Sequence, residues 1–264
     1  MGGILTVETT AIVVAISSLL LLYAYRMKKI DISALSGAFV VGFVVLLTVG
    51  YTGVVALLLF FVFGTLVTFY RYNEKTRIGV AESHKGMRTL QNVLGNGLSS
   101  AIFCVAYGIS HNPLFLLGFS GAVATACADT FSTEIGQALC RNPRLITNLK
   151  RVPVGTNGGV SVQGLLAALL GSSLIAIPMS LLYGQSNGLL NLIIPPSSAV
   201  RSVSIAPHVL SALITISGFF GSIADSIFGA TLENRSRLNN HEVNILATLS
   251  GGIFAISLSY LFEI

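Results

Sequence analysis

An all-α, polytopic transmembrane helix bundle of about eight spans is the fold this sequence predicts. Three observations lead there. Mean hydropathy is +0.81. Charged residues make up only 9% of the 264 residues, where soluble domains run near 25%. Apolar stretches recur at 9–25, 33–48, 52–70, 89–109, 113–137, 161–183, 207–232 and 242–262. Most reach the ~20 residues that cross ~30 Å of hydrocarbon. The second is short and reads as tilted or re-entrant. The first is not a signal peptide, because Glu8 and no Lys or Arg lead it and no small-residue cleavage site follows.

The whole chain, 1–264, reads as one integral-membrane domain. Residues 1–70 form three plain spans without an intramembrane charge, and 71–264 hold five spans and two polar loops. The segment 184–206, with Gly184, Gly188, Pro195 and Pro196, is a turn-rich connector. Of the 15 Lys and Arg residues, all but Arg201 fall on one side of an eight-span arrangement. By the positive-inside rule that side is cytoplasmic, so both termini lie outside. The expected location is the cell membrane of a prokaryote. The basic residues flank spans, so nucleic acid is not an expected partner, whereas a bundle of this size is compatible with an oligomer.

Cys104, Cys127 and Cys140 lack metal-type spacing and read as small core residues. The four histidines form no HxxxH or HExxH pattern. His241, opening the last span on the basic side, is nearest the polar region.

Two acids stand inside apolar stretches: Asp129 in Ala128-Asp129-Thr130 and Asp225 in Ala224-Asp225-Ser226. An ionisable group there is costly and faces a cavity, a partner charge or an ion. Each follows a Ser-Gly start, Ser120-Gly121 and Ser217-Gly218, which suggests paired elements converging on one polar site. Helical neighbours lie three and four apart, so Asp129, Ser132, Thr133 and Gly136 are expected on one face. Glu134 points elsewhere and is a further candidate metal ligand. Carboxylates and hydroxyls on such a face suit Mg²⁺. The plainer alternative is a polar helix–helix contact. Gly218, Gly221, Ser222, Asp225 and Gly229 make a similar stripe. Arg88, Asn92 and Asn96, spaced by four, descend into the membrane beside Lys85, and Asn240, Asn244 and Thr248 open the last span. Arg and amides offer donors to an anion.

The loop Arg151-Val-Pro-Val-Gly155-Thr156-Asn157-Gly158-Gly159-Val-Ser161 follows Lys150 and precedes a helix. Glycine-rich approaches to helix N-termini favour phosphate, although no GxxxxGK[ST] motif occurs. Its plainer reading is a tight connector with Ser161 as helix cap.

The strings Gln91-Asn92-Val93-Leu94-Gly95-Asn96-Gly97, Ala128 to Gly136, Pro153 to Ser161 and Asp225 to Ala230 resemble those of a membrane family found in archaea, bacteria and eukaryotes. That family includes the plant chloroplast phytyl-phosphate kinase. The resemblance covers roughly 75–245. More distantly, the acid-then-glycine loops are similar to those of the CDP-diacylglycerol synthase and dolichol kinase group, although Thr156-Asn157 replace that synthase's basic residues.

Residues and resemblance together imply Mg²⁺-dependent transfer of a phosphoryl group from a nucleoside triphosphate, CTP or ATP, to an isoprenoid monophosphate. Asp129 and Asp225 would hold the metal. Lys150, Arg151 and Gly155 to Gly159, with Ser161, would hold the donor. Arg88, Asn92 and Asn96 would hold the acceptor phosphate or the base, with Lys85, Ser132, Thr133 and Asn244 as further substrate-binding residues. A CDP-lipid-forming cytidylyltransferase and a transporter or flippase of a lipid phosphate are the alternatives.

Overall fold

The computed structural model describes residues 2–182 and 205–261, with side chains from Val7 onward. Most of the connector read at 184–206, including Arg201, lies outside the described residues. The long helices follow the apolar stretches closely: α1 (Gly2–Arg26), α2 (Ile32–Thr48), α3 (Tyr51–Phe69), α5 (Leu90–Ser110), α6 (Pro113–Leu139), α7 (Val162–Leu182), α8 (Pro207–Phe228) and α9 (Asn240–Leu261). Seven of these are long and apolar enough to span a membrane, and α2, with 17 residues, is the shorter eighth. A short helix, α4 (Tyr72–Arg77), and a two-residue antiparallel pair, β1 (Arg144–Leu145) with β2 (Gly159–Val160), shape the polar loops.

The bundle is organised around α6. Of its spanning window 78% is buried, against 39–44% for α3, α5, α7, α8 and α9 and 6% for α1. α6 is therefore the hub, and α1 leans on the outside. The apolar sequence offers no hydrophobic drive between helices inside lipid, so close backbone approach at small residues must supply the packing. A Cβ on Gly121 of α6 would stand 2.8 Å from the Gly251 carbonyl oxygen of α9. One on Gly171 of α7 would stand 2.8 Å from the Cys127 carbonyl oxygen, and one on Gly218 of α8 would stand 2.8 Å from the Ala124 backbone. Gly221 of α8 sits directly on Thr125. The stripe Gly218-Gly221-Ser222 thus seats α8 on α6 and brings Asp225 to the hub. Cys104 and Cys127 are buried in this core. Thr248 bonds the Ser99 hydroxyl at 3.0 Å, a contact between α9 and α5. Outward faces present Leu66, Ile109, Leu166 and Leu181.

Local hydrogen bonds set the helix starts. Asn112 caps α6, its side chain accepting from the Leu114 N–H at 3.0 Å, with Pro113 at the first turn. Asp31 caps α2, accepting from the Ala34 N–H and the Ser33 hydroxyl, each at 2.7 Å. These donors hold the Asp31 carboxyl below the usual carboxylate range. The charged cap therefore stabilises α2 above that range and is lost as pH falls through the lowered value. Thr89 and Asn92 form a capping box at the start of α5.

α4 is anchored by a pair no local pattern predicts. Lys75 is fully buried, donates to the Thr68 carbonyl oxygen of α3 at 2.8 Å and forms an ion pair with Glu134 of α6.

Two outcomes follow from this packing. Gly221→Val should lower thermal stability in detergent by about 1–3 kcal/mol through overpacking against Thr125. Gly42→Ala, whose added Cβ meets nothing within 4 Å, should not. Lys75→Met alone strands a buried carboxylate and should cost about 3–5 kcal/mol. Adding Glu134→Leu should recover much of that loss in a double-mutant cycle, and additive losses would refute the pairing.

Candidate active site

The polar ends of five helices meet around a cavity of about 100 Å³. Asp129, Thr130, Thr133 and Glu134 line it from α6, Asn92 and Asn96 from α5, and Asn240 and Asn244 from α9. Each set repeats at three or four residues, as one helix face requires. Thr68 from the end of α3, Asp225 from the end of α8, and Glu82 and Arg88 from the segment before α5 complete it. The C-terminal parts of α3, α6 and α8 and the N-terminal turns of α5 and α9 thus meet at one end of the bundle.

The two intramembrane acids meet here. The carboxyl groups of Asp129 and Asp225 are within hydrogen-bonding reach of each other, and Asp129 also reaches the Ser222 side chain. With its amide turned to satisfy both ends, Asn244 donates to Asp225 Oδ1 at 3.2 Å and to the Asn240 carbonyl oxygen at 3.1 Å. Among the described residues there is no group of three or more His, Cys, Asp or Glu able to hold a metal. A pair of carboxylates with hydroxyl and amide oxygens nearby offers only oxygen donors, whereas zinc sites draw chiefly on Cys sulfur and His nitrogen. It suits Mg²⁺, which uses one or two carboxylates and completes its shell with water and substrate phosphate. Glu134 lines the cavity, but it is committed to Lys75. It is the internally neutralised acid of the three, rather than the open metal ligand expected.

Arg88 is the cation facing this space. Its backbone is clamped to the α1–α2 turn: the Arg88 N–H donates to the Lys29 carbonyl oxygen at 2.9 Å, and its carbonyl oxygen accepts from the Asp31 N–H at 3.1 Å. The next turn is tied in by the Leu90 N–H, which donates to the Ser33 hydroxyl at 3.2 Å. The guanidinium lies 5.4 Å from the Phe60 ring centroid and against Gly64, where a Cβ would stand 2.7 Å from an Arg88 nitrogen. The ion pairs among the described residues are Lys75–Glu134 and Arg71–Glu74, so Arg88 has no carboxylate within 4.0 Å. Glu82 and Glu134 line the same cavity beyond that distance, and a guanidinium offers its N–H groups in a geometry that suits oxyanions.

The rest of the expected stripe is partly occupied by structure. Asn92 accepts from the Thr89 N–H at 2.9 Å in the capping box and donates to Glu82 at 3.4 Å. Asn96 donates to the Asn92 carbonyl oxygen at 3.0 Å.

Several expected residues do not line the cavity. Ser132 turns to α7, where the Cβ of a substituted Gly164 would meet its carbonyl oxygen at 3.0 Å. The face of α6 is centred between Asp129–Thr133 and Thr130–Glu134, which leaves Ser132 on the far side. Lys85 is exposed on a turn with φ 59°. Ser161 caps α7, accepting from the Gly164 N–H at 3.0 Å.

The glycine loop stands beside the cavity without lining it. Gly158 has φ +75°, and a Cβ there would lie 2.6 Å from the Ser226 carbonyl oxygen. Asn157 accepts from Asn234 at 3.1 Å through its carbonyl oxygen and bonds Glu233 through its side chain. The Gly159 N–H is used by the Thr156 carbonyl oxygen at 2.9 Å, and the Thr156 hydroxyl donates to Pro153 at 2.8 Å. Gly155, φ +87°, packs on Val80. The backbone is therefore a docked turn instead of an open nest, and its exposed charges are the side chains of Lys150 and Arg151.

Sequence reasoning missed Thr68, Lys75, Glu82 and Thr130, and did not assign Asn240 to the site. Asn240 carried a signal, being four residues from Asn244. Thr130 also did, lying beside Asp129 and four before Glu134. Lys75 and Glu82 belong to a loop whose fold depends on distant partners.

The chain matches the family model described as integral membrane protein DUF92 over residues 15–252. It is 32% identical over 243 residues to an uncharacterised membrane protein of Methanocaldococcus jannaschii, covering 92% of this chain and 91% of that one. It is 33% identical over 232 residues to the chloroplastic protein VTE6 of Arabidopsis thaliana, covering 85% of this chain and 63% of the plant protein. It is 32% identical over 234 residues to protein PGR of the same plant, covering 83% and 77%. No solved structure matches it. With a family model matching nearly its whole length and relatives near one-third identity in an archaeon and a plant, the chain belongs to the DUF92 family of integral membrane proteins.

Proposed function

We propose that this protein transfers a phosphoryl group from a nucleoside triphosphate to an isoprenoid monophosphate at the cytoplasmic membrane face. The observation that carries the proposal is the one-ended polar cavity, in which the neighbouring carboxyl groups of Asp129 and Asp225 share a lining with Arg88. The family resemblance to the plant phytyl-phosphate kinase and the relationship to the chloroplastic protein VTE6 support a prenyl-phosphate substrate. A cavity lined from one end of each helix favours group transfer over passage across the membrane.

Asp129 and Asp225 would hold Mg²⁺ in this reading, and an ion bound there would supply charge neutralisation for the transferring phosphoryl group. Arg88, with the amides of Asn92, Asn96 and Asn244 around it, holds the acceptor phosphate. That phosphate arrives as an oxyanion, so the reaction needs charge neutralisation and alignment more than a base. None of the cavity's lining residues is a histidine. The acceptor oxygen forms a bond to the γ-phosphorus, the β–γ bridge bond breaks, and the nucleoside diphosphate leaves. At about 100 Å³ the cavity is small beside ligand pockets of roughly 300–1,000 Å³. It takes phosphates and an ion, while ribose and base lie outward near Lys150 and Arg151.

Purified protein given labelled CTP or ATP and a prenyl monophosphate should form the prenyl diphosphate and a nucleoside diphosphate. Release of pyrophosphate with a CDP-lipid would move the assignment to the cytidylyltransferase. Absence of either product across both nucleotides and several acceptors would overturn the proposal. Asp129→Asn and Asp225→Asn should each lower turnover by at least about a hundredfold, with the protein still folded. Near-normal turnover of the doubly substituted protein would remove the metal role. The orientation is checked by labelling an exposed position: Lys85→Cys should react with an impermeant maleimide only after permeabilisation, and reaction on intact cells would invert the topology.

A further inference from the structure

Arg88, Asn92 and Asn96 line two spaces at once. One is the polar cavity. The other is an apolar cavity of about 270 Å³ between α1, α2, α3 and α5. Its walls include Leu21 of α1, Phe39 and Phe43 of α2, and Leu57 and Phe61 of α3. Its far wall is the lightly packed α1, in which Ala24 is the one buried residue among those described from Val7 on. Gly42 of α2 also lines this space, and a Cβ there would meet nothing within 4 Å. An apolar space more than twice the volume of the polar one therefore ends on the guanidinium that serves as the anion site.

We infer that this groove holds the apolar chain of the substrate, with the phosphate on Arg88 and the chain running between α1, α2 and α3. The inference rests on the reading of Arg88 as the acceptor-phosphate site. A chain in this groove and a phosphate on Arg88 describe one amphiphile spanning two adjoining spaces that share Arg88, Asn92 and Asn96 as lining. A neutral apolar molecule would leave the guanidinium unpaired, and a water-soluble phosphate would leave the groove unused. The groove therefore sets the preference for long apolar chains, and the three plain N-terminal helices are its walls.

The test uses purified full-length protein in lipid nanodiscs and a long-chain prenyl monophosphate carrying a diazirine on its last isoprene unit. After illumination, label should appear on peptides of α1 and α2. Excess unlabelled prenyl monophosphate should compete, and the corresponding prenyl alcohol should compete far less. Gly42→Phe fills the groove without meeting a neighbour at its Cβ and should reduce labelling and long-chain affinity about tenfold. Gly42→Leu should act in the same direction, and serves if the larger residue impairs folding. Ile177→Phe, on an exposed position of α7, should leave labelling unchanged. Label on other helices, insensitivity to Gly42→Phe and Gly42→Leu, or equal competition by the alcohol would overturn the inference, the last marking an ordinary lipid-facing crevice. Turnover with CTP and ATP is read in the same samples. Label in the groove without turnover keeps the groove and removes the transfer reaction. Turnover with label elsewhere does the reverse.

Discussion

The arrangement depends on bringing Asp129 and Asp225 together inside an apolar bundle. A carboxylate at membrane depth is costly, and two in contact are costlier unless a cation or proton lies with them. The contact is produced by packing that has no polarity of its own. Gly218 and Gly221 seat α8 on Ala124 and Thr125 of α6. One turn farther along both helices, the same close approach leaves the two acids facing each other. Glycine at the crossing is thus a condition for the site, although no glycine there touches a ligand.

The bundle treats its buried acids in two ways. Glu134 is matched by Lys75, which also donates to the Thr68 carbonyl oxygen. That pair closes the α3–α4 corner and is electrically complete. Asp129 and Asp225 receive an amide and a hydroxyl but no basic side chain. Arg88 is the converse, a cation seated over Phe60 and Gly64 that shares its cavity with Glu82 but has no carboxylate within 4.0 Å. Anionic oxygen on one wall and a guanidinium on another therefore leave the cavity able to take a cation or proton at one side and an anion at the other, the pairing on which the proposed reaction rests.

The helices were legible because the apolar stretches are long and the caps are local. The stretches read at 89–109 and 113–137 begin within a residue of α5 and α6, where Thr89 with Asn92 and Asn112-Pro113 supply the local caps. The acids were legible because charge in a hydrophobic run is conspicuous. What stayed hidden depended on helix phase or on distant partners. Ser132 and Thr130 differ by two residues, yet one faces α7 and the other the cavity. Lys75 in the sequence is another loop cation among many, and only the return of α6, 59 residues on, gives it a partner. The glycine loop shows a different ambiguity. Positive φ and missing side chains serve a phosphate nest and a tight docking contact equally well, and at Gly158 they serve docking on Ser226.

The first three helices show the limit of reading function from polarity. Leu, Val and Phe without charge read as scaffold, because lipid-facing and chain-binding surfaces have the same composition. The difference lies in shape and in what stands at the end. Gly42 and Gly97 open space between α2 and α5, and the backbone pairing of Lys29 and Asp31 with Arg88 places a cation where that space closes. The same turn that joins two featureless helices therefore sets the position of Arg88. α1 and α2 are tied to the polar cavity through main-chain hydrogen bonds, which no side-chain pattern in the sequence displays.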